Sequence, residues 1–480
     1  MVYEVVVSRG KGVSGSLVID VEAGGLEWQP AGLEGEENEV LPLGSTAEAA
    51  CGECLTWEGA RSLPFRVNNE NLLGAMPTSS SGFEVLYSTS TSTTSKEKKK
   101  RILRSEAFLC TDVSQAEECI EKIRSAASGG GCHERKRILV ILNPCSGQGK
   151  GKRLWEKKVR GWFDASGLGY TFRETEAPGD ARDLARNVDF DVFDALVIIG
   201  GDGTLHEVCN GLFRREDSER AKEVALGMVP TGSGNGFAAS VGSRNVDTAL
   251  WAILKNKRSP MDIVSVLQPQ PQQQQHKRWF MCLTTTFGFI ADLDLNTEHL
   301  RFLGGVRFTL GGIYQILRGR TTKAAVAFVS KEAAGRMGRT GGGHLDELKD
   351  KASDNLLREL PEQWTLMEYD DFQLFVCANT PCMSMGDRVA PTADVSSGSL
   401  VMVSTKRNSR MKNISLMDAV ANGTTHESPL VSYKEVVAFV IEPQCDHFQF
   451  SLDGERIPLG RLFGEVHAGL GTCFCPNKAF

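Results

Sequence analysis

With 480 residues, 41% of them hydrophobic, the chain is long enough for two or three domains and can bury a sizeable core. Its 54 basic and 60 acidic residues leave a formal net charge of −6, which argues against a dedicated nucleic-acid partner. The 13 cysteines follow no repeating framework, and the sequence shows neither a secretory signal nor an apolar run of about 20 residues. Together these features favour a reducing, cytoplasmic setting.

Residues 1–126 predict a separate module. Val2–Val7, Ser16–Val21 and Arg101–Leu109 have the aliphatic and β-branched content of strands. The segment Ser114–Ser125 repeats apolar residues at helical spacing. Strands closed by one final helix indicate a small PH-like regulatory module, and the alternative is a divergent regulatory segment without lipid affinity.

Residues 134–262 alternate short aliphatic runs with helical patterns, which is typical of a parallel α/β sheet. A glycine-rich segment follows each of three runs, Ile138–Leu142, Ala195–Ile199 and Ala225–Val229. Ligands of such sheets bind beyond the carboxyl ends of the strands. The predicted fold class is therefore α/β, with a parallel-sheet domain that presents its glycine-rich loops to a ligand.

Residues 263–480 have a different sequence pattern, in which many short β-branched and aromatic runs replace the alternation of strands and helices. We expect a β-rich domain here, of the β-sandwich type. Two insertions interrupt it, a glutamine- and proline-rich tract near 268–276 and a glycine-rich, then charged, stretch near 331–361. Their composition predicts disordered loops.

Three glycine-rich segments carry the chemistry: Asn143–Gly149, Gly200–Thr204 and Pro230–Gly236. Glycine lets backbone N–H groups approach an anion closely, and a helix that begins there adds partial positive charge. Three such loops at the same edge of a sheet predict a polyphosphate site. The first segment lacks the Gly-Lys-Ser/Thr ending of a P-loop, which argues against a P-loop NTPase. An acid within the second, Asp202, indicates phosphoryl transfer rather than binding alone.

The segment Gly201–Gly211 resembles the signature of the diacylglycerol kinase catalytic domain. The fuller pattern is similar to the sphingosine kinases, also called long-chain-base kinases, and most like their plant or algal members. It includes the third glycine loop, Phe287–Asp294, Phe308–Gly311 and Asp453–Glu455. The resemblance runs from about residue 137 to 470. It implies an ATP-dependent lipid kinase whose product is a sphingoid base 1-phosphate.

The resemblance also implies site residues. Asp202 matches the family's general base, which takes the proton of the attacking hydroxyl; the alternative is an aspartate that only caps a helix. Asp453 matches a magnesium ligand, and a hairpin turn at Asp453-Gly454 is the competing interpretation. The positions that match contacts to ATP are Asn143, Pro144, Cys145, Thr175, Gly179, Glu207, Gly232, Ser233, Gly234, Arg301, Arg307, Asp453, Gly454 and Glu455.

The substrate class depends on Asp294, which matches the family's amine-recognising position, with its neighbour Asp292 ranked second. A carboxylate pairs with the ammonium of a free sphingoid base, whereas ceramide and diacylglycerol offer no cation there. Phe287 and Phe308 are candidates for contact with the lipid tail, although aromatic stripes are more often plain core.

The implied partners are a sphingoid base and the surface of a membrane, to which the chain would attach peripherally. Leu310 and Ile313, with Lys150 and Lys152, form a candidate docking edge. A homodimer stays open. The competing functions are a diacylglycerol or ceramide kinase and a catalytically inactive membrane-binding scaffold. The sugar and NAD kinases share the Gly-Gly-Asp-Gly loop but do not account for the segment around Asp294.

Overall fold

The structure is a computed structural model of the whole chain. It describes residues 2–9, 13–20, 25–30, 65–79, 81–91, 100–127, 137–147, 149–232, 234–270, 275–288, 291, 321–338, 343–346, 348, 357, 360–367, 370–445 and 449–476. Among these residues, no helix is long and apolar enough to cross a bilayer.

The described strands run in chain order as β1 Val2–Arg9, β2 Val13–Asp20, β3 Gly25–Pro30, β4 Phe65–Val67, β5 Leu72–Pro77, β6 Gly82–Thr91, β7 Lys100–Leu109, β8 Arg137–Leu142, β9 Tyr170–Glu174, β10 Phe193–Gly200, β11 Ala225–Pro230, β12 Arg258–Gln270, β13 Gln275–Met281, β14 Thr284–Gly288, β15 Thr322–Ser330, β16 Trp364–Leu366, β17 Asp371–Phe372, β18 Leu374–Ala378, β19 Leu400–Thr405, β20 Ser432–Pro443, β21 Phe450–Leu452, β22 Glu455–Ile457 and β23 Leu462–Phe474.

The described α-helices are α1 Val113–Ala127, α2 Lys150–Leu154, α3 Arg160–Ser166, α4 Asp180–Arg186, α5 Asp202–Leu212, α6 Gly236–Ser240, α7 Val246–Leu254, α8 Lys331–Arg336 and α9 Arg410–Asn422. A π-helical segment, Trp155–Val159, joins α2 to α3, and short 3₁₀ turns occupy Ser218–Glu223 and Thr425–Glu427.

The chain divides into two compact units. The first comprises Met1–Ile138, Arg153–Tyr170 and Asn245–Lys257. Its sheet has seven antiparallel strands in the order β4-β3-β2-β1-β7-β6-β5, and α1 packs on it through Cys119, Ile120 and Ile123. The elements therefore match the predicted strands and closing helix, and the PH-like description of this module stays a prediction.

The first unit also takes in two helical segments from beyond residue 134. The guanidinium of Arg101 lies 3.5 Å from the ring centroid of Trp251 on α7, and the Trp251 indole N–H donates to the carbonyl of Glu70 at 2.9 Å. On the other segment, Arg124 donates to the carbonyl of Ala165 at 3.2 Å. Because these contacts bury side chains from both parts of the sequence, the compact units depart from the predicted division at residues 126 and 134.

The second unit comprises Leu139–Lys152, Thr171–Arg244 and Arg258–Phe480. Its main sheet runs β22-β21-β14-β18-β19-β20-β23-β11-β10-β8-β9. Strands β10 and β11 are parallel, and β23, from the end of the chain, adds to β11 in parallel as well. The α/β strands and the later β-rich strands thus share one hydrogen-bonded sheet. The β-sandwich description of the later strands stays a prediction.

The predicted disorder of the insertions does not extend to all of their residues. In the first, Gln268 pairs with Lys277 and Pro269 with His276, because β12 and β13 continue their ladder into the glutamine-rich tract. In the second, Lys331–Arg336 forms α8, and Leu345 and Leu348 are buried in an apolar cluster. Buried leucines order these parts because they bury apolar area that a solvated loop would leave exposed.

Candidate functional site

The three glycine-rich loops meet at the ends of β8, β10 and β11. The backbone N–H groups of Thr231 and Gly232 donate to the carbonyl of Gly200 at 3.1 and 3.2 Å, which joins the second and third loops. The hydroxyls of Ser146 and Thr231 lie 3.2 Å apart and join the first loop to the third. The sequence prediction that these loops lie together at one sheet edge is therefore confirmed by the geometry.

Two close approaches require glycine in these loops. A Cβ atom on Gly232 would lie 2.6 Å from the Cα of Gly201, too close for any side chain. Gly147 has a φ of 60°, and a Cβ there would collide with the carbonyl of Thr231. These glycines consequently let the backbones of the three loops pack against one another without an intervening side chain.

Asp202 is the first residue of α5, and its carboxylate faces the third loop. One oxygen accepts a hydrogen bond from the N–H of Gly236 at 2.7 Å, and the other accepts from the N–H of Phe237 at 3.1 Å. A Cβ on Gly234 would stand 3.1 Å from the same carboxylate. These contacts hold the carboxylate in one orientation beside the loops, and the residue is half-buried.

The residues that follow Asp202 on α5 tie the helix to the first glycine loop and to the segment between β9 and α4. The side-chain amide of Asn143 donates to the hydroxyl of Thr204 at 3.0 Å, while the Asn143 side-chain oxygen accepts from the N–H of Cys145. The carboxylate of Glu207 accepts from the N–H of Gly179 at 3.0 Å. Asn143, Cys145, Gly179 and Glu207 are thus brought to one edge, as their predicted roles require.

The segment between β9 and α4 is held by its own side chains. The carboxylate of Asp180 accepts from the N–H groups of Glu176 and Ala177 at 2.7 and 2.8 Å, and these bonds lower the pKa of Asp180. Thr175 is buried, and its N–H donates to the carbonyl of Leu142 at 2.9 Å. Gly179 adopts a φ of 95°, which favours glycine at this predicted contact position.

His206 and Asn210, one turn apart on α5, connect this helix to the β-rich strands. His206 places Nδ1 at 3.0 Å from a carboxylate oxygen of Asp453. The side-chain amide of Asn210 donates to the carbonyl of Phe280 at 2.8 Å, and its oxygen accepts from the Phe280 N–H at 3.0 Å. These contacts fix the helix that carries Asp202 relative to β13 and β21. From the sequence, no role was assigned to His206 or Asn210, although both lie within the segment Gly201–Gly211.

Asp453 forms the β21–β22 hairpin turn together with Gly454; their φ angles are 53° and 89°. One of its oxygens accepts from the N–H groups of Leu283 and Thr284 at 2.8 and 3.0 Å. The other accepts from the N–H of Cys282 at 3.1 Å and faces His206. The side chain has no exposed surface. Protein donors engage both oxygens in this buried position, which argues against the predicted magnesium ligand at Asp453.

Glu455, two residues on, reaches the site instead. Its carboxylate oxygen lies 2.8 Å from where a Cβ on Gly203 would stand, and Gly203 directly follows Asp202 in the first turn of α5. The side chain is half-buried. Of the late Asp-Gly-Glu triplet, therefore, Asp453 anchors the strands while Glu455 points to the loops. Within the described ranges, no group of three or more histidine, cysteine, aspartate or glutamate side chains could together hold a metal ion.

Phe287 does not line an open cleft. It is fully buried on β14 and stacks on Phe375 with ring centroids 4.3 Å apart, with Phe372 and Phe450 packed edge-on at 5.3 and 6.3 Å. A side chain enclosed by three other rings is typical of the core, which argues against the predicted contact of Phe287 with the lipid tail. Other predicted positions lie outside the described residues: Ser233, Asp292, Asp294, Arg301, Arg307, Phe308, Leu310 and Ile313.

The comparisons with known proteins match the part of the chain that contains this site. The diacylglycerol kinase catalytic domain family matches residues 137–266, which include all three glycine loops. Sphingosine kinase 1 of Homo sapiens is 31% identical over 348 residues, which cover 69% of this chain and 88% of the human protein. The chain belongs to the sphingosine kinase family. Sphingosine kinase 1 of Arabidopsis thaliana is 28% identical over 374 residues, 71% of this chain and 76% of that protein.

The fold of this sphingosine kinase family member is shared with a solved bacterial structure. A putative diacylglycerol kinase from Bacillus anthracis str. Sterne superposes with a TM-score of 0.51, at 19% identity, over 72% of this chain and 98% of the bacterial one. The match shows that the two proteins share a mixed α/β fold. Family membership makes the protein a lipid kinase with a nucleotide as its phosphoryl donor.

Proposed function

We propose that the protein transfers the γ-phosphate of ATP to the primary hydroxyl of a sphingoid long-chain base, giving the base 1-phosphate and ADP. The observation that carries this proposal is the position of Asp202. It is an oriented, half-buried carboxylate at the point where three backbone-lined glycine loops converge. A carboxylate so placed can accept a hydroxyl proton beside a bound triphosphate.

In the proposed reaction, the substrate hydroxyl oxygen attacks the γ-phosphorus and forms the new P–O bond. The bond from the γ-phosphorus to the β,γ-bridging oxygen breaks, and ADP leaves with that electron pair. The hydroxyl proton passes to the carboxylate of Asp202. The N–H bonds from Gly236 and Phe237 keep the receiving oxygens in place, so little reorganisation accompanies the transfer.

The loops supply the binding part of the proposal. Asn143, Gly232 and Gly234 lie where backbone and amide groups can meet phosphate oxygens, and Glu207 holds the Gly179 turn against α5. Arg301 and Arg307 are proposed to reach the triphosphate, since a guanidinium fork matches phosphate oxygens and keeps its charge at every physiological pH.

Magnesium is part of the proposal, because Mg²⁺ binds phosphates with one or two carboxylates and keeps several waters. The described residue that fits is Glu455, whose carboxylate oxygen faces Gly203 in the first turn of α5. Asp453 does not fit, because its oxygens are taken. When bound, the ion would neutralise part of the charge on the triphosphate.

Asp294 is proposed to hold the ammonium of the sphingoid base. An ion pair in a water-poor site distinguishes a free base from ceramide, whose nitrogen is an uncharged amide, and from diacylglycerol, which has no nitrogen. The names of the relatives support this substrate class, since the human and Arabidopsis proteins are both sphingosine kinases. Peripheral membrane attachment follows from a substrate of this kind, and a homodimer stays a prediction.

The test is phosphorylation of a lipid panel in detergent with labelled ATP: sphingosine, phytosphingosine, ceramide and diacylglycerol. We expect label in the two free bases only. Asp202→Asn should abolish it, and Asp294→Asn should raise KM for the bases while leaving KM for ATP unchanged. Label in ceramide or diacylglycerol that is insensitive to Asp294→Asn would overturn the substrate assignment. Absence of any lipid product would support an inactive scaffold instead.

A further inference from the structure

A basic and apolar surface lies at the start of α9, in the β-rich part of the second unit. Met411 is 75% exposed and Ile414 is 53% exposed. They stand three residues apart, so they are neighbours on the helix surface. Because exposed large apolar side chains cost hydration free energy, a pair of them on one helix edge marks a surface that meets something less polar than water.

The charge around this pair is mostly positive, and the nearest acid in the sequence is Asp418, one helical turn beyond Ile414. Between residues 406 and 417 the chain carries four cations, Lys406, Arg407, Arg410 and Lys412, and no aspartate or glutamate. All four are exposed. The whole chain, in contrast, has more acidic than basic residues, 60 against 54. The α9 surface, defined here as these four cations with Met411 and Ile414, is therefore a local basic patch on an acidic protein.

The opposite face of α9 is firmly attached. Leu416 and Ala419 are buried, and Leu416 packs in an apolar cluster with Val401 and Val403 of β19. Ser409 caps the helix, since its hydroxyl accepts from the N–H of Lys412 at 3.4 Å. The helix presents Met411 and Ile414 outward because its inner face is already used, so their exposure is not the result of a missing core contact.

The buried face of α9 connects to the candidate site through a short chain of contacts. Gly236, which donates to Asp202, packs directly on the carbonyl of Met383; a Cβ on Gly236 would lie 2.6 Å from that oxygen. Met383 in turn packs against the apolar cluster that holds Leu416 of α9. The inner face of α9 and the loop that carries Gly236 therefore pack in one region of the second unit.

We infer that the α9 surface docks the enzyme onto an anionic membrane. The apolar pair would insert among the acyl chains at the headgroup boundary while the cations meet lipid phosphates and carboxylates, the combination that peripheral attachment requires. The inference deepens the proposed function and rests on it, because docking helps the enzyme only if its lipid substrate resides in the bilayer. It adds a second contact surface to the candidate edge at Leu310 and Ile313.

The experiment measures binding of the full chain to vesicles without ATP, by co-sedimentation. Phosphatidylcholine vesicles with about a third phosphatidylserine are compared with phosphatidylcholine alone, at low and high salt. Met411→Ser/Ile414→Ser and Arg407→Gln/Lys412→Gln should each weaken binding to the anionic vesicles by about tenfold. The charge variant should also lose most of the salt dependence.

Matched controls change similar residues elsewhere. Leu366→Ser and Leu459→Ser remove apolar side chains that are 47% and 53% exposed, and Lys222→Gln with Arg66→Gln removes two exposed cations. These should leave binding within about twofold of wild type. Thermal melting checks that every variant is folded. If the apolar variant unfolds, the charge variant, which changes only exposed residues, still tests vesicle binding by the α9 surface.

Three results would overturn the inference. Anionic-vesicle binding could be unchanged in both α9 variants, or wild type could bind uncharged vesicles equally well. Alternatively, light scattering could show wild-type dimers that become monomers in the α9 variants, which would make a second copy of the chain the occupant. Because sedimentation needs no catalysis, and detergent-dispersed substrate needs no docking, a failure of the docking surface is distinguishable from a failure of the proposed kinase activity.

Discussion

The two Asp-Gly pairs of the second unit, Asp202-Gly203 and Asp453-Gly454, occupy opposite kinds of environment. Asp202 begins a helix, accepts two N–H bonds and stays half-buried beside three glycine loops. Asp453 turns a hairpin, accepts three N–H bonds, faces His206 and has no exposed side-chain surface. The same dipeptide thus places a partly accessible carboxylate beside the glycine loops in one region and a buried anchor in the other, because the surrounding fold sets the burial and the number of donors.

We expect the largest loss of activity for Asp202→Asn, which tests the contrast between the two aspartates. Removing the proton acceptor should lower kcat by about 10³-fold. The free energy of unfolding should change by no more than about 1 kcal/mol, because the asparagine oxygen still accepts one of the two N–H bonds. Initial rates on sphingosine and a urea melt check both parts. If kcat falls less than about tenfold, Asp202 is not the base.

Asp453→Asn should show the reverse pattern. The asparagine oxygen could keep the N–H groups of Leu283 and Thr284, but its NH2 group would then face the N–H of Cys282. A buried N–H left without an acceptor costs about 3 kcal/mol of folding stability. We expect kcat per folded molecule to fall far less than in Asp202→Asn. Urea unfolding with Asp370→Asn, an exposed aspartate, as the control measures the difference. A stable but inactive Asp453→Asn protein would indicate that Asp453 takes part in the reaction.

Glu455→Gln tests which member of the late triplet meets magnesium. We expect the Mg²⁺ concentration at half-maximal rate to rise about tenfold, which corresponds to about 1.4 kcal/mol. The measurement is a magnesium titration at saturating ATP and lipid. A larger shift in folded Asp453→Asn than in Glu455→Gln would contradict the assignment and favour the original sequence prediction.

The smallest effect concerns the thiol next to Asp453. Cys282 is buried, its Sγ lies 3.7 Å from the Asp453 carboxylate, and burial raises the pKa of the thiol well above its usual value. Cys282→Ala should cost about 1 kcal/mol at neutral pH. In wild type this raised pKa contributes stability below about pH 8.5, lost as pH rises, because the unfolded thiol ionises and the folded one does not.

The check is a set of urea melts from pH 7 to pH 10, where the variant should show the shallower decline above about pH 8.5. An identical decline in both proteins would mean that Cys282 is not responsible. Other buried cysteines with raised pKa values, among them Cys377 and Cys473, would then carry the pH dependence.

Sequence alone determined a good part of this protein. Three aliphatic runs, each followed by glycines, are local patterns, and a parallel sheet necessarily brings its strand ends to one edge. The position of Asp202 among the loops therefore followed from spacing and family resemblance. The strand and helix content of the first module was also readable from periodicity, since side-chain alternation is a local property.

Tertiary structure decided what depends on distant partners. Asp453 meets the N–H groups of Cys282 to Thr284 only because β14 pairs with β21, and no local pattern states that pairing. Phe287 is core because three other rings enclose it. Trp251 joins the first compact unit through Arg101, a residue 150 positions earlier. Burial and hydrogen-bond satisfaction are properties of the folded neighbourhood, so a sequence motif names the candidate carboxylates and the fold selects among them.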